Sequence, residues 1–289
     1  MVELNFTHPG LIEVNTGRRK SMVFLLFIVL LLSVVNCQKH SSEPDELKLD
    51  ESHSNLTQKN LERISEITLN DPYRFRFALI SDSHTDYADL QDLVESLNDT
   101  ANLTKSLLVI HAGDLTDFGW LSEYKRTVDI LAQLTIPYVT VIGNHDELTS
   151  GRGIYSRMFG DFNYSFVLGD CKFVLLEANS LSYLGVPPNL GWLEEELSDN
   201  DSYRFVFVVG HPPPFDPGWN EQEENCYRLL MQENNVALSV HGHEHYFWYG
   251  DRYGDGVKYL VVDDAASRNH CTVSVDSLTF DAEKINLSP

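Results

Sequence analysis

The stretch SLLVIHAGDLTD (residues 106–117) decides the fold, because an apolar run typical of a buried strand ends at a glycine and is followed by two aspartates. Two further apolar runs have the same character, RFRFALIS (74–81) and YVTVIG (138–143). Between the three runs, apolar residues recur at helical spacing: Leu90, Leu93, Val94 and Leu97 in the first interval, and Leu121, Tyr124, Val128 and Leu131 in the second. Strands that alternate with amphipathic helices imply crossover connections and parallel pairing, and therefore an α/β domain.

The second half of the chain is richer in strands. YSFVLGDCKFVLLEAN (164–179) predicts a hairpin that turns at Gly169 and Asp170. The elements predicted after it are, in order, a helix near Trp192–Leu197, a buried strand RFVFVVG (204–210), a helix within 221–234, a strand VALSVHG (236–242) and a β-rich end with Gly-Asp turns. We find no internal repeat, so the pattern favours one domain over residues 73–289, with two sheets and helices outside.

Polar side chains that can bind metals directly follow five of the predicted strands. They are Asp82 and His84, then Asp114 and Asp117, then Asn144, His145 and Asp146, then His211, and last His243 and His245. In isolation such a residue is ordinarily a turn or capping residue, but reactive groups of α/β folds collect beyond the carboxyl ends of the strands. Five repetitions therefore favour a shared metal site. Mixed nitrogen and oxygen ligands suit Mn²⁺, Fe or Zn²⁺, and two adjacent ions need a bridging carboxylate.

Five short motifs in this order, DSH, GDLTD, GNHDE, GHP and GHEH, resemble those of the calcineurin-like metallophosphoesterases. The resemblance extends from about Phe77 to His245, and it is closest to the branch that contains class III cyclic-nucleotide phosphodiesterases and related bacterial phosphohydrolases. It implies a four-layer α/β/β/α sandwich of two mixed sheets. It also implies a dinuclear enzyme that hydrolyses a phosphate monoester or diester with a metal-activated hydroxide.

The resemblance assigns seven residues to two divalent metal ions. Asp82, His84, Asp114 and His245 would bind the first ion, and Asp114, Asn144, His211 and His243 the second. We call these sets the first and second ion sites; Asp114 would bridge them. Asn144 contributes a neutral oxygen, which limits the negative charge that a phosphate meets.

The resemblance also separates catalytic residues from bystanders. His145 is the expected proton donor to the leaving alkoxide, and Asp117 is expected to orient and charge its imidazole. Purple acid phosphatases have a tyrosine where Asp117 stands, so an iron–tyrosinate site is not predicted. Asp146 is expected to be structural. His241 precedes the glycine of GHEH, matches no ligand position, and is expected to be packed or to support a ligand.

The charge balance bears on the substrate. Lys and Arg number 21 against 43 Asp and Glu, a net charge of −22 at pH 7, which repels polyanions, so a nucleic-acid partner is not expected. Two bound divalent ions would dominate the local potential and still attract a small phosphate ester, a nucleotide or a lipid headgroup. The sequence does not indicate an oligomeric state.

The N-terminal segment resembles an export signal. A basic flank, GRRKS (17–21), precedes an uncharged apolar run of 14 residues, Met22–Val35, which is short for a membrane span and typical of a signal-peptide core. Cys37 after this run fits a lipoprotein signal, while ordinary signal cleavage and an uncleaved anchor are alternatives. We interpret residues 1–37 as a signal peptide or lipoprotein signal and residues 38–72 as a polar tether that can contain a short helix near Leu61–Ile67. The protein is then exported, either membrane-tethered in the periplasm or at the cell surface, or secreted.

The alternative function is a catalytically silent surface protein that retains the fold and its metals. The complete ligand set and the presence of His145 favour the enzyme. A protein that only sequesters metal would not need His145 together with Asp117.

Overall fold

The computed structural model describes residues 49–99, 105–179 and 185–287. The predicted signal at 1–37, with Cys37, and the beginning of the predicted tether lie outside these ranges, so the predictions for them stay predictions. Within the described ranges, no helix combines the length and the apolar character needed to cross a membrane.

The described residues form α-helices and two β-sheets, supplemented by short 3₁₀ turns. The α-helices are α1 (Leu56–Ser65), α2 (Tyr87–Asn98), α3 (Leu121–Leu131), α4 (Gly151–Met158), α5 (Leu190–Leu197) and α6 (Glu221–Glu233). The strands are β1 (Phe75–Ile80), β2 (Val109–His111), β3 (Tyr138–Thr140), β4 (Tyr164–Leu168), β5 (Cys171–Leu175), β6 (Phe205–Val209), β7 (Leu238–His241), β8 (Trp248–Gly250), β9 (Lys258–Val261), β10 (Asn269–Val275) and β11 (Phe280–Asn286).

The first sheet contains the three strands predicted from the first half of the sequence. β1 pairs with β2, and β2 with β3, in parallel, because helices α2 and α3 carry the chain back between them. The last two strands complete the sheet in antiparallel orientation, which gives the order β11-β10-β1-β2-β3. The parallel strands place the carboxyl ends of β1, β2 and β3 at one edge of the sheet.

The second sheet has the order β4-β5-β6-β7-β9-β8, with parallel strands in its centre and an antiparallel strand at each edge. β4 and β5 form the predicted hairpin, with Leu168 opposite Cys171 across the turn. Gly169 in that turn has a φ of 62°, a left-handed conformation that glycine adopts without steric cost. The predictions of a hairpin here and of mixed sheets are confirmed.

Side chains from the two sheets meet in one core. The ring of Phe77 on β1 lies 5.1 Å from that of Phe173 on β5 and 5.2 Å from that of Phe207 on β6, measured between centroids. Because side chains alternate along a strand, Val174 and Val208 face the other way and pack in a second cluster that includes residues of α5 and α6. The connecting helices α2 and α3 also bury their apolar faces. The predicted four-layer α/β/β/α sandwich is confirmed.

Helix α1 shows that part of the predicted tether is folded. The buried side chains on one face of α1 include Ile64, which joins the core between the sheets. Asn60 Oδ1 accepts a hydrogen bond from the backbone N–H of Tyr138 at 3.0 Å, where β3 begins. Residues 49–72 therefore belong to the compact unit that contains both sheets. The polar composition of this segment does not reveal that the helix packs on the domain, because a few buried side chains on one helical face are sufficient for such packing.

Candidate metal centre

Loops from both sheets converge where their parallel strands end. His211, after β6, has its Nε2 atom 3.0 Å from Asp114 Oδ2, after β2, and 3.8 Å from Asp82 Oδ1, after β1. His245, after β7, has its Nε2 atom 3.3 Å from the same Asp82 oxygen. Four strand ends that are far apart in the sequence thus supply side chains to one place between the sheets.

The side chains predicted to bind metal include two groups of closely spaced ligand atoms. Within each group the atoms lie no more than 4.8 Å apart, and the groups are Asp82, His84 and His245, and Asp114, His211 and His243. Their members belong to the first and second ion sites, respectively. Asp114 Oδ2 lies between the groups, 3.0 Å from His211 Nε2 and 3.8 Å from His84 Nε2. A single carboxylate oxygen that faces both groups has the position of a bridging ligand.

Asn144, at the end of the loop after β3, adjoins the second group. Its Oδ1 atom lies 2.9 Å from His243 Nδ1. An amide oxygen and an imidazole nitrogen that are this close can direct their lone pairs at one ion. The structure therefore brings all seven residues that the resemblance assigns to metals into one contiguous site.

The backbone at the ligands is strained. Asp82, His84, Asp114, His243 and His245 have φ values from 43° to 73°, and they are five of the nine non-glycine residues with positive φ in the described part of the chain. Each such residue costs on the order of 1–3 kcal/mol and persists only where its surroundings fix the conformation, which happens preferentially at functional sites. The concentration of strain at the predicted ligands supports a functional role for them.

Two glycines let the ligand loops approach one another. A Cβ atom at Gly143 would lie 2.1 Å from Asp114 Oδ1, and a Cβ atom at Gly242 would lie 1.9 Å from Ser81 Oγ and 2.6 Å from Asp82 Oδ2. Any side chain at either position would displace the two aspartates. The glycines of GNHDE and GHEH are therefore required by close contact with the carboxylates that are predicted to bind metal.

Two histidine rings are held from behind by backbone carbonyls. His211 Nδ1 donates to the carbonyl of Ala112 at 2.7 Å, and His84 Nδ1 lies 3.2 Å from the carbonyl of Thr116. Each ring thereby turns its Nε2 atom to the carboxylates, and His211 Nε2 is buried there without an aligned hydrogen-bond partner. Metal-ligating histidines are held in this way, and a buried nitrogen of this kind fits a metal ligand. These side chains thus fit a pair of divalent ions.

The buried carboxylates and His211 shift one another's pKa. Burial by itself would raise the pKa of Asp82 and Asp114, but the positive charge of His211 holds both below their usual range. Burial also opposes a charge on His211, yet Asp114 and Asp82 raise its pKa to about 10. Both carboxylates are therefore ionised at neutral pH, and metal binding at His211 must release a proton.

His145 lies beside the first group, but its contact with Asp117 differs from the predicted one. Its Nδ1 atom donates to the backbone carbonyl of Asp117 at 2.8 Å, and its backbone N–H donates to Asp114 Oδ1 at 2.9 Å. The Asp117 carboxylate instead lies 3.1 Å from His84 Nδ1 and accepts a hydrogen bond from Thr85 Oγ1 at 2.5 Å. Nitrogen and oxygen atoms of His84, Asp117 and His145 also lie within 4.8 Å of one another. The backbone carbonyl of Asp117, rather than its carboxylate, thus orients the His145 ring. A sequence motif, which specifies side chains, cannot predict this contact.

Asp146 and His241 have structural contacts. Asp146 is buried and accepts hydrogen bonds from the backbone N–H groups of Gly143, Leu115 and Thr116; burial and the nearby Asp114 raise its pKa to about 7. His241 is fully buried, and its Nε2 atom lies 2.7 Å from Ser239 Oγ. Burial lowers the pKa of His241 to about 3, so the ring is neutral and packed inside the protein, as expected.

The sequence model of the calcineurin-like phosphoesterase family matches residues 75–247, which is more than half of the chain. The protein therefore belongs to this family. The match begins at β1 and ends just after His245, the last of the predicted ligand histidines, so it covers every strand end that contributes to the site.

Named relatives and a solved structure are consistent with this assignment. A "Probable glycerophosphodiester phosphodiesterase" of Arcobacter nitrofigilis is 30% identical over 114 residues, covering 37% of this chain and 42% of the relative. A "Probable cyclic nucleotide phosphodiesterase" of Xenorhabdus bovienii is 24% identical over 135 residues, covering 43% of this chain and 53% of the relative. The matches thus span about half the length of these relatives. A dimetal phosphatase from Danio rerio superposes with a TM-score of 0.59 at 15% identity, over 75% of this chain and 100% of that chain, which shows a shared fold.

Proposed function

We propose that the protein is a dinuclear metal-dependent phosphoesterase that hydrolyses a small phosphate monoester or diester. The observation that carries the proposal is the position of Asp114, one oxygen of which faces both ion sites. Two divalent ions, when bound, supply a water nucleophile at neutral pH and neutralise the charge on the phosphoryl oxygens. The mixed nitrogen and oxygen donors suit Mn²⁺, Fe or Zn²⁺.

His145 is the proposed proton donor to the leaving group. The carbonyl of Asp117 accepts from its Nδ1 atom at 2.8 Å, which fixes the orientation of the ring and leaves Nε2 as the nitrogen that exchanges a proton. Its backbone N–H is bound to Asp114. This hydrogen bond from the His145 backbone to the Asp114 side chain therefore couples the position of the proposed proton donor to that of the proposed bridging carboxylate.

The proposed substrate is a small ester rather than a nucleic acid. The net charge of −22 opposes the approach of a long polyanion, whereas a small phosphate meets the local charge of the two ions. Relatives named for glycerophosphodiesters and cyclic nucleotides favour a diester.

Phe118 and Trp120 indicate where the organic part of the substrate binds. Their side chains are 50% and 52% exposed, and their ring centroids lie 5.1 Å apart. Glu123 Oε2 accepts hydrogen bonds from the backbone N–H groups of both residues, at 3.0 and 3.2 Å, which fixes this short segment. The segment directly follows Asp117, whose backbone carbonyl accepts a hydrogen bond from His145 Nδ1. We propose that a planar leaving group, such as a nucleoside, stacks there.

The full-length chain, purified in detergent and loaded with Mn²⁺, Fe²⁺ or Zn²⁺, tests the proposal. Substrates should include p-nitrophenyl phosphate, its bis-ester, cyclic nucleotides and glycerophosphodiesters. We expect turnover of at least one ester that requires two bound ions and is lost in His145→Ala. Two bound ions without turnover of any substrate would support the alternative, a catalytically silent surface protein.

We also propose that the mature protein is exported and held at a membrane by its N-terminal segment. The support is the apolar run Met22–Val35 followed by Cys37. Labelling cells with a fatty-acid analogue tests this: a lipoprotein incorporates the label, and Cys37→Ser does not. Wild-type protein without label would favour ordinary cleavage or an uncleaved anchor, which the N-terminal sequence of the mature protein distinguishes.

A further inference from the structure

His243 lies between two groups that contact opposite nitrogens of its ring. Its Nδ1 atom is 2.9 Å from Asn144 Oδ1, within the second ion site. Its Nε2 atom is 3.4 Å from Asp216 Oδ2. Because the two nitrogens of an imidazole point away from each other, the nitrogen that faces the ion site and the nitrogen that faces Asp216 have different tasks.

Hydrogen bonds within its own loop hold the Asp216 carboxylate in place, independently of the contact with His243. Its Oδ1 atom accepts a hydrogen bond from the backbone N–H of Gly218 at 2.6 Å. The Asp216 backbone N–H donates to the carbonyl of Pro213, and its own carbonyl accepts from the backbone N–H of Trp219, both at 3.0 Å. The Trp219 side chain is buried and packs against Tyr227 of α6, with ring centroids 5.4 Å apart. The loop after β6 is therefore folded so as to present this carboxylate.

Asp216 differs from Asp117 and Asp264, the two other carboxylates outside the proposed ligand set that reach histidines of the site. Its side chain is 5% exposed, against 30% for Asp117, which contacts His84, and 17% for Asp264, whose Oδ2 lies 3.6 Å from His245 Nδ1. Water weakens an electrostatic contact least where the groups are buried. Among these three contacts, the one between Asp216 and His243 should therefore affect its histidine most.

We propose that Asp216 is a positioning residue for the second ion, which it reaches through His243. The carboxylate accepts the proton on Nε2, so that the lone pair of Nδ1 is directed to the ion site and the ring becomes a stronger donor. The inference rests on the proposed function, since it requires an ion between Asn144, His211 and His243. It also links the loop 212–219 to the second ion, because the loop carries the carboxylate.

Metal titration of the full-length protein tests this inference without an activity assay. Removing a carboxylate behind a ligating histidine weakens metal binding by about 10- to 100-fold. We expect Asp216→Ala to raise the Kd of one of two Mn²⁺ ions by that factor and to leave the other within about twofold. For Asp216→Asn, we expect the Kd of that ion to lie between the values for wild type and Asp216→Ala, because the amide oxygen can still accept a hydrogen bond from His243 Nε2 but carries no charge. Asp201→Asn, which changes an exposed carboxylate outside the site, is the matched control and should bind like wild type.

The outcomes separate the inference from the proposed function. A wild-type protein that binds fewer than two ions contradicts the proposed function. Two ions bound by wild type and bound equally well by Asp216→Ala overturn the inference alone. If circular dichroism shows that Asp216→Ala does not fold, the nearly isosteric Asp216→Asn takes its place. Two ions bound by Asp216→Asn as tightly as by wild type would then overturn the inference. Nitrogen NMR of the Zn²⁺-loaded protein adds a direct readout: we expect His243 protonated at Nε2, and protonation at Nδ1 would overturn the assignment.

Discussion

The first and second ion sites share Asp114 but differ in their exposure to solvent. In the first site, the side chain of His245 is 45% exposed. In the second site, the side chain of His211 is fully buried, and His243 is braced by the buried Asp216. His245 is thus the most exposed predicted ligand of the first site, whereas the most exposed one of the second site, His243, is 15% exposed. For the proposed dinuclear site, we expect this difference to favour tighter binding at the second site and access of the substrate at the first.

The difference follows from the chain segments that carry the ligands. His211 leads into the loop 212–219, whose backbone hydrogen bonds and buried Trp219 hold it in place. His245 is followed directly by the exposed Tyr246. A ligand with buried, hydrogen-bonded neighbours loses little further freedom on binding an ion, while an exposed ligand must be ordered at that moment. The second ion should therefore bind more tightly than the first.

The largest effect should come from Asp114→Asn, because this substitution removes the carboxylate that both sites share. We expect both ions to bind more weakly and activity to fall by more than about 100-fold, the upper end of the range for residues that only support a ligand. Metal content after dialysis, measured by mass spectrometry, checks the result. Loss of only one ion would contradict a bridging role and make the two sites independent.

His145→Ala should have the next largest effect, and it should spare the metals. General acid catalysis contributes about 10²- to 10⁴-fold, so we expect kcat to fall within that range while both ions remain bound. The loss should be smaller for p-nitrophenyl esters, whose leaving group needs less protonation, than for alkyl esters. Equal losses for both ester types would argue against proton donation by His145.

Local sequence pattern predicted most of the fold, because apolar runs bounded by glycine or serine and helical spacing are local properties. They located β1, β2, β3 and the β4–β5 hairpin. The same reasoning did not predict that helix α1 docks on the domain, since two of its four buried residues, Thr57 and Asn60, are polar. Packing against β3 is a tertiary property that no short window of sequence contains.

In the candidate site too, local features could be predicted from the sequence and tertiary contacts could not. The candidate ligands could be located in the sequence because each follows a strand end, in a fixed motif, and the structure brings them together. The groups that orient the ligands could not be predicted, since they are backbone carbonyls, such as those of Ala112 and Thr116, or carboxylates from distant loops, such as Asp216 and Asp264. Their partners are defined only when the two sheets pack together.

Stepwise metal removal tests the comparison of the two sites directly. A chelator titration of the Mn²⁺-loaded protein should remove the ion of the exposed first site first, and the ion of the buried second site at about tenfold higher free chelator, which corresponds to about 1.4 kcal/mol. His245→Ala should abolish the early step, and His243→Ala the late step. If His245→Ala instead abolished the late step and His243→Ala the early one, burial would not determine the order of metal loss. Loss of both ions in a single step would show that they bind as a unit.

The smallest effect should come from Trp120→Ala, which removes an exposed ring of the proposed stacking surface. A stacked aromatic contact is worth about 1 kcal/mol, so we expect kcat/KM to fall about fivefold for a cyclic nucleotide and to change little for a glycerophosphodiester, which has no planar alcohol to stack. Tyr73→Ala, which removes a similarly exposed aromatic side chain outside the metal site, is the control and should affect neither substrate. Equal losses on both substrates would mean that Trp120 supports the loop of Asp117 rather than the leaving group. Trp120 would then play no part in selecting the substrate.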